Sequence, residues 1–346
     1  MRVTSGEDPR FSRYQRQMLF APFGAQGQEK LASARVGLVG CGALGSVIAN
    51  HLVRAGVGYV RLVDRDFLEL NNLQRQMLFT ESDVRERIPK AEAAAGHLRE
   101  INSDVTVDPV VADINPFSIV EFGDGLDLLV DGTDNFTTRF LINDYCVSRG
   151  IPWVYGGVIM ASGMTMTLVP GEGHCLRCVF PELPPPGSAP TCDTVGVLNT
   201  AVAVVASLEA NEVFKLILDP GSRNKGLLTV DLWNLAFETV EVKRDPECPA
   251  CGRGLFPFLG GDHEESAVSL CGRDAVQIVP VSSRVLDLGA LRSRLAGVGP
   301  VRANPFLVEL DVEGKTITVF PDGRAIIKGT DDIAAARVLY ARYVGQ

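Results

Sequence analysis

The chain has 346 residues, 46% hydrophobic and 22% charged, with a formal net charge of −9. That length supports one large core and a smaller attached unit, and the apolar content excludes a disordered chain. The acidic balance argues against a nucleic acid partner, which needs clustered Lys and Arg, and the longest apolar stretch, 195–208, is interrupted by Asn199 and Ser207 and is too short for a membrane span.

Residues 1–9 carry charge and glycine but no apolar signal core, so the cytoplasm is the expected location. In that reducing compartment the two Cys-x-x-Cys pairs point to metal rather than to disulfides.

In chain order, the pattern predicts a helix over 12–27, a buried strand over 35–40 ending in glycine, a helix over 44–55, and a strand over 59–63 closed by Asp64. This is a β-α-β unit whose connection should be right-handed. A helix over 90–101, strands over 105–111 and 126–131, a helix over 140–149 and a strand over 152–155 continue the alternation. The expected fold class is therefore α/β, a doubly wound Rossmann-like sheet. From Val158 the chain becomes strand-rich and is expected to add an antiparallel extension, interrupted by the irregular Pro184-Pro185-Pro186-Gly187 loop and by an apolar helix over 195–218. Strands are expected over 227–233 and 238–243. The main domain ends near 259, 260–274 reads as a linker, and 275–346 reads as a small α+β unit in the order β-α-β-β-β-α.

Gly40-Cys41-Gly42-Ala43-Leu44-Gly45 is a G-x-G-x-x-G turn between a strand and a helix, where backbone N–H groups can face phosphate. Asp64, about twenty residues on, suits a ribose hydroxyl. A turn of this kind serves dinucleotides as readily as ATP, and it also occurs without a ligand.

Asp64-Arg65-Asp66, Asn71-Asn72-Leu73-Gln74-Arg75-Gln76, Arg13-Tyr14-Gln15-Arg16-Gln17, Pro89-Lys90 and Thr133-Asp134-Asn135 narrow the choice. Collinear over about residues 10–255, they resemble the ThiF/MoeB/HesA family, E1-like adenylyltransferases of ubiquitin-like sulfur-carrier proteins. The resemblance implies attack by the terminal glycine carboxylate of a Gly-Gly-ending carrier on the α-phosphorus of ATP, giving an acyl-adenylate and pyrophosphate. Such attack by an anion needs cations and a metal ion around the phosphates. The resemblance accordingly implies that Arg75 and Lys90 contact phosphate and that Asp134 holds Mg2+. Gly40, Gly42, Ala43, Gly45, Asp64, Asp66, Asn72 and Gln76 fall at ATP-site positions. Arg16 falls where relatives supply an arginine from the opposite protomer, which implies a homodimer. The ATP-binding part would cover about 10–157, and the carrier and zinc part 158–259.

Cys175-Leu176-Arg177-Cys178 and Cys248-Pro249-Ala250-Cys251 supply four thiolates that suit a closed structural Zn2+ site. A redox pair is the alternative reading. Cys192 precedes the apolar helix, whose N-terminus would favour thiolate. In the resembling family a cysteine here forms a carrier conjugate in some members and is dispensable in others. Cys41, Cys146 and Cys271 read as small apolar residues, and the four histidines show no ligand spacing.

The chain departs from short bacterial relatives by about two extra residues between Arg75 and Lys90. No cysteine follows Cys271, so a tail-borne persulfide could use only Cys271. The tail itself resembles the extension of longer members, with carrier docking or dimer support as its expected role. Three other readings stand beside carrier adenylation: adenylation of a small molecule or peptide, an NAD-binding dehydrogenase, and a non-catalytic scaffold.

Overall fold

The structure, a computed structural model, describes residues 9–185, 192–260, 266–270, 274–280 and 286–345. It divides into two compact units, Met1–Gly261 and Asp262–Gln346.

The first unit begins with a 3-10 turn (Pro9–Tyr14), then α1 (Gln15–Met18), α2 (Gly24–Ser33), β1 (Arg35–Val39), α3 (Ala43–Ala55), β2 (Tyr59–Val63), α4 (Glu81–Glu86), α5 (Lys90–Ile101) and β3 (Thr106–Val110). It continues with α6 (Ser118–Gly123), β4 (Leu128–Asp131), α7 (Phe136–Arg149), β5 (Trp153–Ile159), β6 (Ser162–Leu168), α8 (Leu176–Val179), α9 (Cys192–Val195), α10 (Asn199–Leu218), β7 (Leu227–Asp231) and β8 (Ala236–Val240). Among the described residues these strands form an eight-stranded sheet in the order β3-β2-β1-β4-β5-β6-β7-β8. The pairs from β3 to β5 are parallel, and those from β5 to β8 are antiparallel. This is the doubly wound sheet with its antiparallel extension.

Side chains alternate across the sheet as the period of two requires. Val36, Leu38, Val60, Leu62, Leu128 and Val130 pack beneath α3, α5 and α10, whereas Val39, Val63, Leu129, Trp153 and Tyr155 pack beneath α6 and α7. After β1 the chain winds outward to β2 and β3, then crosses back to β4 on the other side of β1. The switch point between β1 and β4 opens a crevice at the carboxyl ends of these strands, the usual ligand position in open α/β sheets.

Several local expectations change. The helix expected over 12–27 is broken into α1 and α2, because Pro22 cannot donate to a helix and restricts Ala21 before it. A short α4, absent from the sequence reading, folds between Arg75 and Lys90, with Thr80 and Asp83 forming a capping box. Helix α7 begins at Phe136, four residues before its expected start, because Asn135 caps it by accepting from the Thr138 N–H at 2.8 Å. Helix α10 begins only at Asn199, because Gly196 turns at a φ of 80° and Val197 bridges to Met160.

The second unit contains β9 (Ser266–Leu270), β10 (Ala275–Val279), α11 (Leu288–Leu295), β11 (Val301–Asn304), β12 (Leu307–Val312), β13 (Lys315–Val319), β14 (Ala325–Lys328) and α12 (Ile333–Tyr343). The antiparallel sheet order is β11-β12-β13-β14-β10-β9. Val276, Ile278, Val308, Leu310, Ile317 and Val319 form its core with Leu291, Leu295, Leu339 and Tyr340. The unit thus adds β9 and β11 to the expected pattern, and β9 lies within the stretch read as linker. No helix among the described residues is long and apolar enough to cross a membrane.

Candidate functional site

The glycine turn follows β1 directly into α3. Gly40 adopts a φ of 92°, and a Cβ there would stand 2.7 Å from the Gly132 carbonyl. A Cβ on Gly45 would meet the Gly40 carbonyl at 1.9 Å. Gly40, Gly45 and Gly132 therefore let helix, turn and β4 pack backbone to backbone. Gly42 differs: the nearest heavy atom to a Cβ there is Gln76 Nε2 at 3.9 Å, so no protein atom crowds that position. Gly42 also caps α3 without any side-chain hydrogen bond to the helix, which leaves the first N–H groups of α3 available to an anion. The buried Gln76 Oε1 has no hydrogen-bond partner among the described residues. An open glycine and an uncapped helix start fit a phosphate-bearing ligand at this turn.

A contrast follows from the packing. Gly42→Ala is expected to keep the fold, costing about 1–3 kcal/mol of stability for a side chain in the sparsely populated backbone conformation of Gly42, and to weaken nucleotide binding at least tenfold. Gly45→Ala is expected not to fold, because its methyl would collide with backbone. Urea unfolding and titration with a fluorescent ATP analogue would check both, and unchanged nucleotide affinity in Gly42→Ala would remove the turn from the site.

The carboxyl end of β2 locks this turn in place. Asp64 accepts from the Cys41 N–H at 2.8 Å and from the Asp66 N–H at 2.7 Å. Burial pushes its carboxyl above the ordinary value, and Lys90 pulls it back. The buried Lys90 holds Asp66 twice, through its N–H to the Asp66 carbonyl at 2.9 Å and through Nζ to Oδ2 at 3.2 Å. Arg65 pairs with Asp113 at 3.0 Å; burial disfavours its charge, but Asp113, Asp66, Asp64 and Asp134 outweigh that and raise its pKa. The structure thus brings Asp64, Asp66, Lys90 and Asp134 into one electrostatic neighbourhood.

Asn72 is buried, donating to Asn71 Oδ1 at 3.0 Å and accepting from the Glu69 N–H at 3.1 Å. Arg75 donates to the Asn71 carbonyl at 2.9 Å and is only partly buried. Arg16 lies exposed on α1. Its neighbours are structural: Arg13 donates to Asn102, Tyr14 is buried and accepts from Asn102 Nδ2 at 2.7 Å, and Gln17 donates to Gln28 Oε1 at 2.8 Å. Asp134 is exposed, and its neighbour Asn135 caps α7. Cys192 opens the four-residue α9, and its side chain lies outside the described residues, as does Cys271.

Sequence reasoning missed the residues that hold the Asp134 loop. Asp131, at the end of β4, accepts from the Thr133 N–H at 2.8 Å, the Thr133 hydroxyl at 2.7 Å and Arg139 Nε at 2.8 Å. Arg139 Nη2 then reaches the Thr133 carbonyl at 2.7 Å and the Gly156 carbonyl at 2.9 Å. On the other side of Gly156, Glu209 of α10 is fully buried with neither oxygen partnered among the described residues. Burial, then the Asp131 charge, pushes its carboxyl well above the ordinary range, against the pull of Arg139. The acid ending the β4 strand was the available signal for this network; its partner eight residues on was not.

Cys175, Cys178, Cys248 and Cys251 converge, with all four Sγ atoms within 4.8 Å of one another. Cys175 lies 3.5 Å from Cys248, and Cys178 lies 3.4 Å from Cys251. Tetrahedral bonds of about 2.3 Å to a metal would set sulfurs about 3.8 Å apart, so the set can hold one ion with little movement. The hydrogen bond with Cys175 pulls the Cys178 thiol down to about 4, while burial leads in pushing Cys251 up to about 11.

The chain matches the ThiF family over residues 14–250 and belongs to it. It is 44% identical to the sulfur carrier protein ThiS adenylyltransferase of Bacillus subtilis, across 96% of this chain and 99% of that protein. It is 41% identical to a sulfur carrier protein adenylyltransferase of Thermus thermophilus, across 73% of this chain and 93% of that protein. The first match necessarily runs through most of the second unit. The solved structure of Escherichia coli MccB with ATP superposes with a TM-score of 0.60 at 26% identity, covering 70% of this chain and 75% of that one.

Proposed function

We propose that this chain uses ATP to adenylate the C-terminal glycine carboxylate of a ubiquitin-like sulfur-carrier protein. A carboxylate oxygen bonds to the α-phosphorus, the bond from that phosphorus to the bridging oxygen breaks, and pyrophosphate leaves. The observation that carries the reading is the open Gly42 at the uncapped start of α3, set at the switch point of a ThiF-family sheet. The names of the bacterial relatives, the first matched over nearly its full length, suggest the substrate class.

In this reading Gly40, Gly42, Ala43 and Gly45 present backbone N–H groups to phosphate, while Asp64, Asp66, Asn72 and Gln76 line the nucleotide. Lys90 and Arg75 offset the charge of the phosphates. Exposed Asp134 would hold Mg2+, which neutralises the departing pyrophosphate when bound. Arg16, exposed on α1, would complete the site of a second copy in a homodimer. Four convergent thiols, two buried and two partly buried, favour Zn2+ over harder cations, in a closed structural role. Cys192 is the residue placed for a covalent conjugate with the carrier, and the second unit would support carrier docking or the dimer. Paired thiols that serve metal rather than disulfides agree with a cytoplasmic setting.

Carrier-dependent exchange of labelled pyrophosphate into ATP tests the reading, with the Gly-Gly-ending proteins of the same organism added singly. Exchange with one carrier is expected. ATP binding without exchange for any carrier would overturn the protein substrate and favour a small molecule or peptide, whereas NADH binding without ATP binding would overturn the nucleotide assignment.

A further inference from the structure

We propose that α7 couples the four-cysteine cluster to the nucleotide site, with Asn143 and Asp144 as the positioning residues. Helix α7 starts at the Asp134 loop, where Asn135 caps it and Arg139 braces Thr133. One turn beyond Arg139, on the same face, stands Asn143, and one turn beyond Phe140 stands Asp144. Asn143 Oδ1 accepts from the Leu176 N–H at 2.9 Å, inside the first Cys-x-x-Cys pair. Asp144 Oδ2 accepts from the Phe258 N–H at 3.2 Å, in the tail that follows the second pair.

Apolar contacts run in parallel. Phe136 packs edge-on against Phe180 at 5.4 Å and Phe140 against Phe258 at 5.2 Å. The Arg177 guanidinium lies 5.6 Å from the Phe140 ring and 5.7 Å from the Phe258 ring. Both cysteine loops are therefore fastened to the helix whose first turn carries the Asp134 loop, and Asn143 and Asp144 are both fully buried. A rise of about 1.5 Å per residue puts Asn143 only about 6 Å along the helix from Arg139. A rigid element this short cannot shift at its middle without moving its start.

Loading of the cluster then sets the position of residues 132–140. The consequence for nucleotide affinity rests on the proposed function; the structural coupling does not. The test is amide hydrogen exchange on the full wild-type chain, loaded with one zinc ion and then stripped by a chelator. Stripping is expected to raise exchange about tenfold or more in 132–140 as well as in the two cysteine loops, since local opening follows lost anchoring. Increases confined to 172–180 and 245–258 would overturn the coupling, and global loss of protection would make the metal a condition of folding and overturn it equally.

Variants give an independent reading. Zinc-loaded Asp144→Leu or Asn143→Leu, each close in volume but lacking the acceptor, should bind a non-hydrolysable ATP analogue about tenfold more weakly, the factor set by about one net hydrogen bond. Asp144→Asn keeps an acceptor for Phe258 and should bind normally. Normal affinity in both leucine variants would overturn the assignment of these residues. If even the wild-type chain binds no ATP analogue while stripping still loosens 132–140, the proposed function fails and the coupling stands.

Discussion

Asp134→Ala is expected to lower carrier-dependent pyrophosphate exchange by about 10²-fold or more, the usual effect of removing one group that stabilises charge in a transition state. Its stability should stay within about 0.5 kcal/mol of wild type, as for exposed substitutions that break no special feature. Both halves come from the same geometry. Asp134 is exposed, and the cap of α7 is Asn135, so the helix loses no anchor when Asp134 is truncated. Yet its charge helps to raise the pKa of both Arg65 and Arg139. Raising Mg2+ should recover part of the activity of the conservative Asp134→Asn, whose amide oxygen can still face a cation, and little of that of Asp134→Ala. Wild-type exchange in Asp134→Ala at limiting Mg2+ would remove Asp134 from the mechanism, and a large loss of stability would make it a structural residue.

The parts of the molecule legible from sequence are those encoded over short spans. Buried β runs ending in Gly or Asp, and helices of one face, placed β1 to β5 in a doubly wound sheet and β7 and β8 in its extension, whereas β6 was legible only as part of a strand-rich stretch after Val158. The cysteine pairs were visible because thiol chemistry restricts what four of them can do together, although their halves lie far apart in sequence. What escaped depends on neighbours far along the chain. Gly132 has meaning only once β4 lies beside β1 and the Gly40 carbonyl faces it. Val301–Asn304 is too short and polar to announce a strand, and Ser266–Leu270 gains its identity by pairing with β10. Arg13, Tyr14 and Gln17 belong to a motif that looked functional as a block, yet they tie the first turns to Asn102 and Gln28, leaving Arg16 as its exposed member. Helix 12–27 failed for a local reason, since Pro22 stands within an otherwise helical run.

Arg139→Met should damage the folded state far more than Asp134→Ala, lowering stability by about 3–5 kcal/mol, the cost of leaving a buried charge unpaired. Asp131 is fully buried, and burial already pushes its carboxyl above the ordinary value against the opposing pull of Arg139 and the Thr133 hydrogen bonds. Burial likewise opposes the Arg139 charge, and Asp131 more than compensates, so its pKa rises. Methionine fills much of the volume but supplies neither charge nor the donors that hold the Thr133 and Gly156 carbonyls. Exchange activity should therefore fall with stability, because the loop carrying Asp134 loses its brace. A double-mutant cycle separates the two effects. Adding Asp131→Asn to Arg139→Met removes the orphaned charge and should recover part of the stability, but the two carbonyls still lack their donor and the loop stays unbraced, so activity should not return. Urea unfolding of the four variants, with exchange measured on each, decides the matter. A single variant Arg139→Met within about 1 kcal/mol of wild type would mean that water or a rearranged neighbour satisfies Asp131, and full activity in that variant would show that the Asp134 loop keeps its position without the buried pair.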